Sequence, residues 1–89
     1  MTATRVGPPP ETVRALELDG EISLYDRASR HALLLNGTAS DIWRLADGAH
    51  TLEELVGLLA AAYGTDAAAI RGDVERTVRE LAAAGFLPA

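Results

Sequence analysis

The chain predicts an α+β domain of two layers, a three-stranded antiparallel sheet followed by three helices. Three observations carry this expectation. Strand-like apolar runs separated by turn residues fill the chain up to Leu35, runs of helical period follow, and the change falls at Asn36-Gly37, directly before a capping residue. Eighty-nine residues suffice for one domain with one modest core. A sheet in such a chain buries an apolar face against the helices.

Residues 1 to 10, "MTATRVGPPP", end in three consecutive prolines, which supply no amide donors and favour extended polyproline conformation. They read as a flexible proline-rich arm excluded from the core, with the folded domain spanning 11 to 89. From Val13, two strand-like runs lie either side of Asp19-Gly20. A two-residue loop there sets Leu18 opposite Glu21 and Leu16 opposite Ser23. A three-residue loop, Asp19-Gly20-Glu21, sets Leu18 opposite Ile22 and Leu16 opposite Leu24. Cross-strand neighbours share a face, so the second register makes one coherent apolar face and is the expected one. The next turn falls in "DRASR", residues 26 to 30, and the third strand runs from about His31 to Leu35.

Each helix has readable ends. Thr38 opens Thr-Ala-Ser-Asp, a side-chain cap with an acid three residues on, and Gly48 closes that first helix near Asp47. Thr51 opens Thr-Leu-Glu-Glu, a fuller capping box in which Glu54 reaches back, and Gly64 closes the helix after Tyr63. The third runs from about Asp66 to Ala84, capped by Asp66 or Thr65 and stopped by Gly85. Ile70, Val74, Val78 and Leu81 form its apolar stripe, widened by Ala67 and Thr77. Phe86 and Leu87, past the stop, are expected to fold back onto the core.

Composition excludes several functions. Thirteen acids against eight bases leave a net charge of -5, and every base is arginine, a poor balance for a protein whose main partner is nucleic acid. The absence of cysteine removes disulfides, iron–sulfur ligation and thiol nucleophiles together. Neither a secretory signal pattern nor an apolar run of about 18 residues occurs, so no membrane is expected and the default compartment is the cytoplasm. His31 and His50 have no ligand at metal-binding spacing. Ser23, Ser29 and Ser40 lack a nucleophile-elbow setting, Glu53-Glu54 reads as first-turn acids complementing the helix dipole, and no glycine-rich phosphate loop is present. Trp43, the only tryptophan, reads as core. An enzyme acting alone is not expected, nor any cofactor or metal. An acyl carrier is excluded by the lack of an Asp-Ser-Leu attachment site.

The ordered series Leu24-Tyr25-Asp26, Leu35-Asn36-Gly37-Thr38-Ala39, Ile42-Trp43, Asp47-Gly48, Thr51-Leu52-Glu53-Glu54-Leu55, Tyr63-Gly64, Asp73-Val74, Leu81 and Gly85-Phe86-Leu87 resembles the PqqD-like family. That family supplies recognition elements for ribosomally made, post-translationally modified peptides, and the likeness covers about residues 13 to 87. It implies a small winged-helix-like domain, non-catalytic, that binds the leader segment of a precursor peptide and brings it to a modifying enzyme or leader peptidase of the same pathway. Members serving pyrroloquinoline quinone synthesis tend to carry a Trp-rich second strand ending in Ala-Pro-Glu, where this chain has "ISLYDRA". The short form resembles the leader-binding partner of lasso-peptide proteases at least as well.

The residues themselves offer a mechanism for such binding. A sheet edge must be charged, covered or used, and "HALLLN" carries no Lys, Pro or acid to block it, so a peptide can add there as one more strand. In an antiparallel ladder, either His31, Leu33 and Leu35 or Ala32, Leu34 and Asn36 turn their N–H and C=O groups to the open edge; the sequence leaves both choices open. In the family the leader lies in the groove between the third strand and the third helix. The resemblance therefore nominates His31, Ala32, Leu33, Leu34 and Leu35 on the strand, and Val74 and Val78 with flanking Arg71, Asp73, Glu75 and Thr77 on the helix. Arg71 and Glu75 flank one side of the stripe and Asp73 the other, and which side lines the groove stays open. The alternative is a winged-helix DNA-binding regulator reading with the third helix. That helix sets Asp66, Asp73, Glu75 and Glu80 against Arg71, Arg76 and Arg79, a poor surface for phosphates.

Overall fold

The computed structural model describes residues 5–88. Its elements follow the expected order: β1 (Val13–Leu18), β2 (Glu21–Asp26), β3 (His31–Leu35), α1 (Gly37–Leu45), α2 (Leu52–Tyr63) and α3 (Ala67–Ala83). The strands form one antiparallel sheet in the order β1-β2-β3, so β1 and β3 are its edges. β2 alternates strictly, with Ile22, Leu24 and Asp26 turned inward. Its apolar residues meet Leu35 of β3, Ile42 and Ala46 at the end of α1, Leu55, Val56 and Leu59 of α2, and Val74 and Leu81 of α3. Phe86 and Leu87 return to this core as expected, 0% and 3% exposed, after the Phe86 N–H closes on the Leu81 carbonyl at 2.9 Å.

The first hairpin departs from the expected register. Leu18 pairs with Glu21 and Leu16 with Ser23, around a two-residue Asp19-Gly20 loop. Both loop residues have positive φ, 53° and 81°, which a type I′ turn demands and an Asp-Gly pair supplies at little strain. The three-residue register is favoured only where a single sheet face is apolar. In fact β1 is exposed from Arg14 to Leu18, and Leu16 and Leu18 share the outer, solvent-facing side with Tyr25 and Leu34. With apolar residues on both faces, local turn chemistry decides the register.

The arm is likewise not excluded from the core at Val6, which is buried there. The Val6 N–H donates to the His50 carbonyl and the Gly48 N–H to the Val6 carbonyl, each at 2.8 Å, fastening the segment to the loop between α1 and α2. Gly48 therefore does not cap α1. It has φ +85°, and a Cβ there would come within 2.7 Å of Pro8 Cδ, so this close approach needs a residue without a side chain. Residues 1 to 4 of the expected arm lie outside the described residues.

α1 starts earlier than Thr38 and ends earlier than Asp47. Its cap is Asn36, whose Oδ1 accepts the Ala39 N–H at 2.8 Å, and its last residue is Leu45. That phase carries Ser40, fully buried, onto the sheet. The Ile22 N–H donates to Ser40 Oγ at 2.9 Å, and the Ser40 hydroxyl donates to the Leu35 carbonyl at 3.3 Å. One side chain thus bridges β2 and β3 where they pass under the helix. α2 follows expectation, with the Thr51–Glu54 capping box complete and left-handed Gly64 at its end. Asp66 occupies the cap position of α3 without a side-chain hydrogen bond. The turn between β2 and β3 is held by Asp26, whose carboxylate accepts from the Ala28 N–H at 3.0 Å and the Ser29 hydroxyl at 3.1 Å.

Replacing Ser40 by Ala strands a buried N–H and weakens the hold on a carbonyl, at about 1–3 kcal/mol; urea unfolding of Ser40→Ala should show that loss. Asp26 makes a second expectation. The Thr12 hydroxyl first, then the Ala28 N–H and Ser29, hold its carboxyl below the ordinary value and outweigh its burial. A pKa lowered by folding gives stability that is present above the unfolded value, about 4, and lost as pH falls through the folded one. Thermal midpoints should therefore drop on acidification below about pH 4, and Asp26→Asn should flatten that dependence.

Candidate functional site

The phase of the β3 edge follows from bonds elsewhere in the sheet. A two-residue loop makes its flanking residues, Leu18 and Glu21, a hydrogen-bonded pair. The Arg27 N–H reaches the Thr12 carbonyl at 3.0 Å, in the same phase. Odd-numbered residues of β2 therefore bond β1, and Ile22, Leu24 and Asp26 turn toward β3. There they meet Leu35, Leu33 and His31, with the Ser40 hydroxyl inserted between the Ile22 N–H and the Leu35 carbonyl. By alternation, Ala32 and Leu34 direct their N–H and C=O groups to the open edge.

Beside this edge runs a cavity of about 420 Å³ between β3 and α3. Leu33, Leu34 and Leu35 line its strand side, Asn36, Thr38 and Ala39 its end at the start of α1, and Asp73, Arg76, Thr77, Glu80 and Leu81 its helix side. Helical spacing accounts for the last set, since positions 73, 76, 77, 80 and 81 fall on one face. β3 and α3 run in opposite directions. The start of β3 meets the end of α3, where His31 Nδ1 lies 3.3 Å from the Ala84 carbonyl and its ring 5.5 Å from that of Phe86. These contacts close one end of the groove, and the cavity occupies the other.

Leu33, Leu35, Ala39 and Leu81 give the groove its apolar lining, and charged residues line its helical rim. Arg76 donates to Asp73 at 2.7 Å, which leaves Glu80 without an ion-pair partner among the described residues. Two acids and one base give the rim a net negative charge. A separate hollow of about 330 Å³ lies between α1 and α2, lined by Leu45, Leu58, Ala62 and Tyr63 among others, and the Tyr63 hydroxyl donates to Asp41. Burial, and then that carboxylate, hold the phenol above its ordinary pKa.

Residues 21–87 match the family model described as coenzyme PQQ synthesis protein D (PqqD). The chain belongs to the PqqD family. No curated protein matches it. Among solved structures it is similar to TbiB1 in complex with the TbiA(beta) leader peptide, with a TM-score of 0.82 at 25% identity over 91% of this chain and 94% of that one.

In this PqqD-family chain the nominated residues separate into groups. Leu33, Leu34, Leu35, Asp73 and Thr77 meet at the cavity. His31 stands at its closed end, and Ala32 offers the edge its backbone. Val74 is buried core, and Val78 packs half-buried against that core. Arg71 turns to α2 and pairs with Glu53, with Glu75 on the same flank. The flank left open by the sequence is therefore the one bearing Asp73. Asn36, Thr38, Ala39, Arg76, Glu80 and Leu81 line the cavity without having been nominated; stepping three and four residues along α3 from Asp73 finds the helical ones.

Edge phase gives a direct test. Amides of Ala32 and Leu34 should exchange fast with solvent and that of Leu33 slowly. Ala32→Pro and Leu34→Pro should stay folded, whereas Leu33→Pro removes a ladder bond and should unfold the domain.

Proposed function

We propose that this protein is a non-catalytic module that captures the leader segment of a ribosomally synthesised precursor peptide by strand addition to β3, in the groove against α3. It then presents the leader to a modifying enzyme or leader peptidase of the same pathway. One observation carries the reading: the outward backbone groups of Ala32 and Leu34 run along a cavity lined by Leu33, Leu35 and Leu81 and by the charged rim of α3. Main-chain bonds at such an edge supply affinity and side-chain pockets supply selectivity. The likeness to TbiB1, a protein solved with the TbiA(beta) leader peptide bound, supports a leader peptide as the guest.

Presentation suits this geometry. A guest at a sheet edge lies on the surface, so the chain before and after it leaves into solvent and remains available to an enzyme. The competing edge, β1, is exposed on its flanks, and its Glu17 carboxylate is engaged by Arg44 of α1. Of the three arginines of α3, Arg71 and Arg76 are engaged by carboxylates, which disfavours DNA reading by that helix. Among the described residues, no helix is long and apolar enough to cross a membrane. The lasso-peptide pathways remain the proposed setting, and the cytoplasm the proposed compartment.

Calorimetry with the leader of the precursor encoded beside this chain tests the proposal. Thr77 lines the cavity without belonging to the buried core, so Thr77→Trp fills the groove at little expense to folding. It should weaken binding by about 2 kcal/mol, roughly thirtyfold. Val78 is a poorer probe, since a charge placed there would disturb the core. Unchanged affinity in Thr77→Trp would move the site elsewhere. Affinity should also fall moderately with added salt, because the negative rim favours a leader with some basic character.

A further inference from the structure

β3 presents two faces to a guest, and the groove reads only one. Residues opposite each other in a ladder share a face, so guest residues opposite Leu33 and Leu35 enter the groove. Those opposite Ala32 and Leu34 must emerge on the outer face. Among Arg14, Glu21 and Ser23, that face carries four large exposed apolar side chains: Leu34 is 70% exposed, Leu18 65%, Leu16 61% and Tyr25 43%. A contiguous exposed apolar patch marks a contact surface more often than scattered single residues do.

Resting on the strand-addition reading, we propose that Leu34, Ala32 and Tyr25 form a second recognition surface on the outer face. It takes the alternate side chains of the same guest strand and selects apolar ones. Pairing within the sheet leaves room for them. Leu34 is paired with Ser23, whose side chain is too small to cover it, so the free flank of the leucine faces the guest. Ala32 is paired with Tyr25, and its methyl group lets a long or aromatic guest side chain pass over it to the phenol ring. The guest is therefore read at both parities, by the groove on one side and by this surface on the other. Its binding segment is apolar on both faces rather than amphipathic.

A displayed library of random twelve-residue peptides, panned separately on the wild-type protein and on Leu34→Lys, tests this. Peptides enriched on the wild type should be apolar at both parities and should slow exchange of the Ala32 and Leu34 amides. Panning on Leu34→Lys should keep the groove parity unchanged and bring acidic residues to the outer one. Wild-type peptides should bind the variant about fivefold more weakly, the scale of one cross-strand pair. Leu16→Lys, on the same face but two strands from the edge, should enrich the wild-type set. Outer positions that stay random in every selection, or that are identical on wild type and Leu34→Lys, overturn the second surface and leave strand addition standing. Peptides that bind without protecting the edge amides, or no enrichment at all, overturn strand addition itself. Unfolding midpoints of both variants, measured alongside, should match the wild type; a lowered midpoint for Leu34→Lys alone would mean that Leu34 supports the fold, and would also overturn the proposal.

Discussion

Among the described residues, Ser40 ties the two layers together at the one point where they exchange a polar contact in the interior. An N–H of β2 and a carbonyl of β3 would otherwise face each other across the end of the ladder. The hydroxyl inserts between them, which satisfies both and fixes the rotation of α1 about its axis. Since Asn36 caps that helix and Leu35 ends the strand, the turn from β3 into α1 has no slack. The walls of the groove inherit this rigidity, because Asn36, Thr38 and Ala39 sit within one turn of the bridge.

Edge strands are a hazard that proteins blunt with charge, bulges or cover. The two edges of this sheet are treated differently. β1 bears Arg14 and Glu17, and has the Glu17 carboxylate engaged by Arg44 from α1. β3 bears no charge between Ala32 and Leu35 and has a helix standing off from it instead of packed upon it. α3 meets the core through Val74 and Leu81, while Asp73, Thr77 and Glu80 on its next face look across a gap. A sequence under pressure only to stay monomeric would close that gap or charge that strand.

Features set by neighbours in sequence were legible, and features set by distant partners were not. The Thr51–Glu54 box, the left-handed Gly64 and the order of six elements need only local chemistry. So does the return of Phe86 and Leu87, two apolar residues after a glycine stop. The first hairpin is the exception: its Asp19-Gly20 turn is local chemistry and decides the register, whereas the expected register rested on matching apolar faces, and both faces are apolar. Asn36 and Thr38 are both good caps, and the choice between them is made by Ser40, whose partners lie on another element. Val6 is buried by a loop some forty residues away in sequence. The groove followed the same rule: its strand side was legible from the unblocked edge. The lining flank of α3 depends on how that helix crosses the sheet, which no residue of the helix encodes alone.

The contacts of His31 with Ala84 and Phe86 make the two ends of the groove unlike. One ends on an imidazole and a phenyl ring, the other on the first turn of α1, where Asn36, Thr38 and Ala39 line it. A sheet edge will hydrogen-bond an added strand running either way, so a ladder by itself leaves polarity undecided. Unlike ends would not. On the proposed reading, a guest with different side chains toward its two termini would fit best in a single sense, and that sense would set the direction in which the rest of its chain leaves.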